Sequence, residues 1–162
     1  MDDIQIRPAR QDDLEILWDF LAIAAYEPDA AAARALPVVA AHLAGWKRSQ
    51  DFGFIAERDG VPIGATWARQ FSPDEAPPFY VDERTPELSI GVKDGVRGLG
   101  IGERLLRELI AEAGRREVGL CLNVRDTNPA LRLYERMGFE IVEGSAVRNR
   151  VGGLSIGMVL RG

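Results

Sequence analysis

Hydrophobic and polar positions along the first third of the chain follow strand and helix periods in turn. The run IQIRPA predicts a short first strand, and the apolar positions that follow Asp12 and Asp13 recur at helical spacing as far as Ala25. Residues 26–37, rich in Pro and Ala, predict a linker, and residues 38–48 predict a second helix.

The middle of the chain reads as strands followed by a helix. The runs FGFIAER and VPIGATWAR flank Asp59-Gly60, a dipeptide typical of a tight hairpin turn, and so predict an antiparallel pair. Residues 72–86 carry four prolines and predict a loop, after which ELSIGV predicts a fourth strand. From Gly100 to about Gly114 the apolar residues return to helical spacing.

The last third predicts strand, helix, strand and strand. VGLCLNV alternates as a strand does, Asn128-Pro129 begins a helix that ends at Gly138, and FEIVEGSA and LSIGMVL predict two final strands. The whole order is strand, two helices, three strands, helix, strand, helix and two strands. It predicts a mixed α/β fold in one domain that covers residues 1–162.

Composition, net charge and cysteine count exclude several classes of protein. The chain has 162 residues with 46% hydrophobic and 28% charged residues, which fits one globular domain. The net charge of -5, with basic residues dispersed among acidic ones, argues against a nucleic-acid partner. No apolar run approaches the roughly 18 residues of a membrane span, and the single cysteine, Cys121, excludes an intrachain disulfide or a cysteine-rich zinc site. We therefore expect a cytoplasmic protein with no membrane, nucleic-acid or metal partner.

The segment between the fourth strand and the third helix carries five glycines from Gly91 to Gly102. A dinucleotide fingerprint fails because Glu103 occupies the third glycine position, and a nucleoside-triphosphate loop fails because no lysine follows the glycines. What remains is Arg97-Gly98-Leu99-Gly100-Ile101-Gly102 at a helix N-terminus, where exposed amides suit a pyrophosphate. The alternative is a tight turn that only needs positive φ angles.

Two motifs together identify a resemblance. The first is Arg-x-x-Gly-x-Gly after a strand that ends at Val92, and the second is the block LNVRDTNPALRLYERMGF. With both in order, residues 87 to about 142 resemble the GNAT (GCN5-related N-acetyltransferase) superfamily of acyl-CoA N-acyltransferases, although Lys93-Asp94 replaces its frequent Asp-Pro. The matching positions of the second block are Leu122, Val124, Asn128, Ala130, Tyr134, Gly138 and Phe139.

The resemblance implies a fold and a binding mode for coenzyme A. We expect a central, mixed and mostly antiparallel sheet of six to seven strands, flanked by about four helices, whose fourth and fifth strands splay around the pantetheine arm. Backbone pairing with that arm would explain a glycine inside the fourth strand. The expected cofactor contacts are Ile90, Gly91 and Val92 for the pantetheine, the amides of Arg97, Gly98, Leu99, Gly100, Ile101 and Gly102 for the pyrophosphate, and Asn128, Ala130 and Tyr134 beside the arm.

Acyl transfer to an amine needs a base, an oxyanion donor and an acid for the leaving thiolate. Tyr134, which the resemblance places near the sulfur, is our candidate acid, and its alternative is a core aromatic. Glu87 is our candidate base, acting through water, and its alternatives are a merely solvated carboxylate or no dedicated base. The backbone amide of Ile90 or Val92 is the candidate oxyanion donor. We expect Cys121 to pack inside its strand.

These features predict an acetyl-CoA-dependent N-acetyltransferase that acts on a primary amine of a small molecule or peptide by direct attack in a ternary complex. Two alternatives are a non-catalytic acyl-CoA-binding or regulatory domain, and an enzyme that transfers a longer acyl group or acylates oxygen. The resemblance also implies a homodimer. The acceptor is left open by the sequence.

Overall fold

The structure is a computed structural model that describes residues 3–75, 77–96 and 98–162. The chain divides into two compact units, one formed by residues 1–69 and 89–110 and the other by residues 70–88 and 111–162. Both units contain helices and strands, which confirms the predicted mixed α/β class. The assignment of residues 1–162 to one functional domain stays a prediction.

The first unit contains a sheet whose strands stand in the order β1 (Ile4–Pro8), β2 (Phe52–Arg58), β3 (Val61–Arg69) and β4 (Glu87–Val92). β1 runs antiparallel to β2, and β2 runs antiparallel to β3. Asp59 and Gly60 join β2 to β3 with φ angles of 53° and 76°, so both residues have the left-handed backbone of the predicted hairpin turn. Of β4, the last four residues belong to this unit.

The helices of the first unit are α1 (Leu14–Ala24), α2 (Ala30–Ala35), α3 (Pro37–Ala40) and the first ten residues of α4 (Ile101–Arg115). As predicted, α1 buries an apolar stripe, which includes Leu17 and Leu21, in the hydrophobic core. That core also contains Ile55 of β2 and Trp67 of β3.

The helices between α1 and β2 differ from the prediction. The segment expected as a linker contains α2, because the Asp29 side chain caps its first turn by accepting a 2.9 Å hydrogen bond from the Ala32 amide. Pro37 ends this alanine run and begins α3, which has only four residues. The expected helix over residues 38–48 is wrong beyond Ala40, where turns follow and Gly45 has a φ of +73°.

The second unit contains the first two residues of β4, and most of its strands pair with β8 (Leu154–Leu160). It contains β5 (Leu120–Arg125), α5 (Ala130–Arg136), β6 (Glu140–Ile141), β7 (Val147–Arg148) and β8 (Leu154–Leu160). β5, β6 and β7 each pair antiparallel with β8, whereas β4 pairs in parallel with β5 at Glu87 and Cys121. This mixture, mostly antiparallel, is the predicted one.

The described residues form eight strands rather than six to seven, since one predicted strand is interrupted. The run FEIVEGSA keeps strand structure only at Glu140–Ile141. The Ser145 amide then donates to the Val142 carbonyl, and Gly144 between them has a φ of +77°, which makes a turn before β7. Within the described ranges, no helix is long and apolar enough to cross a bilayer.

Candidate functional site

The turn that precedes α4 has an open backbone. Gly98 and Gly100 have φ angles of +86° and +76°, a region that side chains rarely adopt, so the positive φ angles of the tight-turn alternative are present at both positions. A Cβ built on either residue meets no atom of the described residues within 4 Å. The turn is therefore accessible as well as left-handed. Arg97, the first residue of the predicted cradle, lies outside the described residues.

The N-terminus of α4 adds main-chain N–H donors and partial positive charge to this turn. The Arg104 amide donates to the Gly100 carbonyl at 3.1 Å, which closes the first helical turn. The amides of Ile101 and Gly102 precede that bond, and helix geometry gives such groups no acceptor within the helix. Together with the partial positive charge of a 15-residue helix, they form a surface suited to an anion.

The glycine inside β4 has a reason other than the predicted one. A Cβ built on Gly91 would lie 2.5 Å from the main-chain oxygen of Phe20 in α1, a distance that no side chain tolerates. The close approach of a helix backbone explains Gly91 without any cofactor. Pairing of Ile90, Gly91 and Val92 with a pantetheine arm stays a prediction.

Glu87, the candidate base, is buried rather than solvated. Only 4% of the residue is exposed, so the alternative of a merely solvated carboxylate is wrong. Its Oε2 accepts a 3.0 Å hydrogen bond from Nδ2 of Asn123, an exposed residue of β5. Since Glu87 is paired with Cys121 in the parallel ladder, the three side chains share one face of the sheet.

Cys121 packs inside the second unit, as predicted. The residue is 2% exposed, and its Sγ lies 3.5 Å from the Thr85 carbonyl oxygen. Burial raises the pKa of this thiol, and the negative charges of Glu87 and Asp82 raise it further. The thiol is therefore held protonated, which argues against a covalent acyl-cysteine route.

The second motif forms α5 and the residues around it. Tyr134 is 6% exposed, and its ring packs edge-on against Phe139 with the ring centroids 6.0 Å apart. This packing fits the core-aromatic alternative, and the acid role of Tyr134 stays a prediction. The Asn128 side chain accepts a 2.9 Å hydrogen bond from the Ala130 amide, so it caps the helix as expected. Gly138, with a φ of +103°, follows its end.

Two polar residues beside the predicted site were missed by the sequence analysis. The sequence predicts Asn123 only as part of a strand. A polar side chain between Leu122 and Val124 nevertheless indicates that one face of this strand is more polar than the other. Thr66 is fully buried in β3, and its Oγ1 donates a 2.8 Å hydrogen bond to the Ser89 carbonyl in β4. Threonine is common in strands, so its sequence context carries no signal of this bond. No group of three or more potential metal ligands occurs among the described residues.

Comparison with known proteins agrees with this geometry. Residues 14–139 match the model of the acetyltransferase (GNAT) family. The chain is similar to the mycothiol acetyltransferase of Corynebacterium glutamicum strain R, with 30% identity over 110 residues that cover 66% of this chain and 34% of that protein. It thus spans about a third of the length of the curated relatives it matches.

Solved structures match over nearly the whole chain. The ribosomal-protein-alanine N-acetyltransferase of Brucella melitensis has a TM-score of 0.72 and 27% identity, with 97% of this chain and 99% of that one covered. The protein yncA of Salmonella typhimurium, solved with its cofactor acetyl-CoA, has the same fold, with a TM-score of 0.70, 24% identity and coverage of 99% and 94%. The fold, both motifs and the family match agree, and the chain belongs to the acetyltransferase (GNAT) family.

Proposed function

We propose that the protein is an acetyl-CoA-dependent N-acetyltransferase that moves the acetyl group from the thioester to a primary amine by direct attack within a ternary complex. The observation that carries this proposal is the open, left-handed glycine turn at the start of α4 in a chain of this family. The acceptor is the amine of a small molecule or a peptide.

The described residues fit a bound coenzyme A at its pyrophosphate. Main-chain amides from Gly98 to Gly102 would hold the phosphate oxygens, because a side chain at Gly98 or Gly100 would fill the space that the turn leaves open. Arg97 would contribute its own amide. We assign the pantetheine arm to the backbone of Ile90, Gly91 and Val92 and to the neighbourhood of Asn128 and Ala130. The cofactor supplies the acetyl thioester.

Two side chains would move protons. Glu87 would accept the proton of the acceptor amine through water, with its carboxylate oriented by the amide of Asn123. Tyr134 would donate a proton to the sulfur of the departing thiolate, as a phenol can. The buried, protonated Cys121 has no part in this route.

The names of the relatives support two classes of amine acceptor, a small molecule and a protein. The curated relatives are named as mycothiol acetyltransferases, and the Brucella melitensis protein is named for an alanine residue of a ribosomal protein. A screen of coenzyme A release with small amines and with peptides that carry free N-termini would separate the two. Cytoplasmic location and a homodimer are further proposals, which cell fractionation and light scattering would test.

Thermal unfolding with acetyl-CoA is the first experiment. Ligand at a hundred times its Kd raises the free energy of unfolding by about 2.7 kcal/mol. For a chain of this size, that increase raises the Tm by roughly 5–10 °C. Gly100→Glu should remove that rise. Gly152→Glu is a matched control, because Gly152 also has a positive φ, +85°, and open space around its Cβ position. No rise with any acyl-CoA would refute the proposal.

Turnover then separates the enzyme from a binding module. Tyr134→Phe should keep the acetyl-CoA rise in Tm and lower kcat by about 10²–10⁴-fold. Glu87→Gln keeps an acceptor oxygen for Asn123 but removes the base, so kcat should fall by about 10²–10⁴-fold while the acetyl-CoA rise in Tm stays. A protein that binds acetyl-CoA yet releases no coenzyme A with any acceptor would favour the non-catalytic alternative.

A further inference from the structure

The peptide unit between Ser89 and Ile90 in β4 is held by a side chain of the neighbouring strand. Oγ1 of Thr66 donates to the Ser89 carbonyl oxygen at 2.8 Å, and Thr66 is 0% exposed. A buried hydroxyl cannot exchange this acceptor for water. The bond therefore fixes the direction of one carbonyl in the strand that the proposed chemistry uses.

Other main-chain groups of this region point to the same side. A Cβ built on Gly64 in β3 would lie 3.3 Å from the Gly91 carbonyl oxygen, and the Lys93 amide donates to the Ile63 carbonyl at 2.9 Å. The odd-numbered residues thus direct their main-chain polar groups towards β3. Because these groups alternate along a strand, the N–H groups of Ile90 and Val92 point to the opposite edge.

The Ser89 carbonyl and the Ile90 amide belong to one planar, trans peptide, so they point in opposite directions. Whatever fixes the Ser89 carbonyl towards β3 also fixes the Ile90 N–H away from β3. The hydroxyl bond acts on the peptide of Ile90 and not on that of Val92, the other candidate oxyanion donor.

We propose that Thr66 is a positioning residue, which holds the 89–90 peptide so that the Ile90 N–H donates to the thioester carbonyl oxygen as negative charge develops on it. The inference rests on the proposed acetyl transfer. A donor fixed before the reaction needs no reorganisation during it, which is why preoriented amides stabilise oxyanions well. Without the hydroxyl, the peptide loses one of the restraints on its direction, and the donor loses alignment.

Thr66→Val tests this, since valine keeps the shape and removes the hydroxyl. We expect kcat to fall about tenfold, part of the roughly 10²–10³-fold that loss of a whole oxyanion donor costs, while the Kd for acetyl-CoA changes less than about threefold. Thr66→Ser should restore kcat. Ser145→Ala is the matched control, because that hydroxyl also donates to a main-chain carbonyl, that of Val142, and its loss should leave kcat unchanged.

Spectroscopy supplies a readout that a purely structural role would not move. In the infrared difference spectrum of bound acetyl-CoA labelled at the carbonyl carbon, the stretch should lie at higher frequency in Thr66→Val than in the wild type, because the weaker hydrogen bond polarises the carbonyl less. If the valine variant does not fold, the amide spectrum of the wild type still tests whether Ile90 is the donor that Thr66 holds in place. The Ile90 amide proton should move on addition of acetyl-CoA, and the Ser89 and Gly91 amide protons should move much less.

Three results would overturn the role of Thr66. These are wild-type kcat in Thr66→Val, an equal loss in Thr66→Ser, and an Ile90 amide proton unaffected by acetyl-CoA. Each can occur in a protein whose wild type binds acetyl-CoA and transfers acetyl groups. They therefore differ from failure of the proposed function, in which the wild type itself neither binds nor reacts.

Discussion

Arg69 at the end of β3 should be the most sensitive charged residue for stability in the first unit. Its guanidinium bonds both carboxylate oxygens of Asp51, at 3.2 Å and 2.7 Å, and donates to the carbonyls of Ala41 and Ala44. Both charged side chains are 1% exposed. Arg69→Met would leave a buried carboxylate with the Arg48 amide as its hydrogen-bond donor and the Arg48 guanidinium 4.0 Å away.

Removal of one partner from a buried pair destabilises by about 3–5 kcal/mol, a large share of a typical stability of about 5–15 kcal/mol. For a chain of this length the Tm should fall by roughly 6–20 °C. Urea unfolding followed by circular dichroism measures the loss directly. Arg107→Met is the control, because Arg107 pairs with Glu103 on the surface of α4 and is 64% exposed. Such a pair contributes at most about 0.5 kcal/mol.

A double variant tests the cause. Asp51→Leu combined with Arg69→Met removes both charges, so part of the lost stability should return even though the two carbonyls still lack the guanidinium. A double variant as unstable as the sum of its single variants would contradict the buried-charge argument. So would an Arg69→Met protein within about 1 kcal/mol of the wild type, a loss too small for a stranded buried charge.

Three further predictions concern packing, pH and thiol reactivity. Gly91→Ala should destabilise by roughly 1–3 kcal/mol in urea, because its Cβ would meet the α1 backbone, whereas Gly95→Ala, with nothing within 4 Å, should be nearly neutral. The hydrogen bond from Arg7 lowers the pKa of Asp13 below its ordinary 3.8, so this stabilisation is complete above that value and is lost as the pH falls through the lowered pKa. The stability difference between wild type and Asp13→Asn should accordingly be larger at pH 7 than at pH 2, and an equal difference would argue against the linkage. Cys121 should react with a thiol reagent at pH 8 only after denaturation, and rapid labelling of the native protein would show that the thiol is accessible.

Two strands were predictable from the sequence to the residue, whereas the strand predicted over residues 118–124 lies at Leu120–Arg125. The bounds of β4 and β8 are those of ELSIGV and LSIGMVL, because each run is apolar enough to specify a strand and ends at clear turn residues. The helix after the glycine turn follows in the same way from its amphipathic spacing. Short elements failed, as between α1 and β2, where the cap at Asp29 and the break at Pro37 outweighed the alanine pattern.

The candidate site was predictable where backbone conformation defines it and not where distant contacts do. Positive φ at Gly98 and Gly100 follows from local glycine chemistry. The Glu87 carboxylate is hydrogen-bonded to Asn123, 36 positions later in the chain, and such a contact leaves no local pattern around Glu87. The reason for Gly91 is likewise a contact with a helix from another part of the sequence. Local sequence patterns indicate these residues, whereas the contacts that determine their environment come from the fold.

The last four residues of β4 are restrained from several directions, and this bears on the proposed chemistry. The main-chain oxygen of Phe20 leaves no room above Gly91, Thr66 fixes the Ser89 carbonyl, and the Lys93 amide is bound to the Ile63 carbonyl. Each restraint acts on main chain that faces α1 or β3. The Ile90 and Val92 amides on the other edge are therefore held by groups that need not contact any substrate. A strand fixed in this way can present donors to a reacting carbonyl without a change in its own structure, which is the arrangement that oxyanion stabilisation requires.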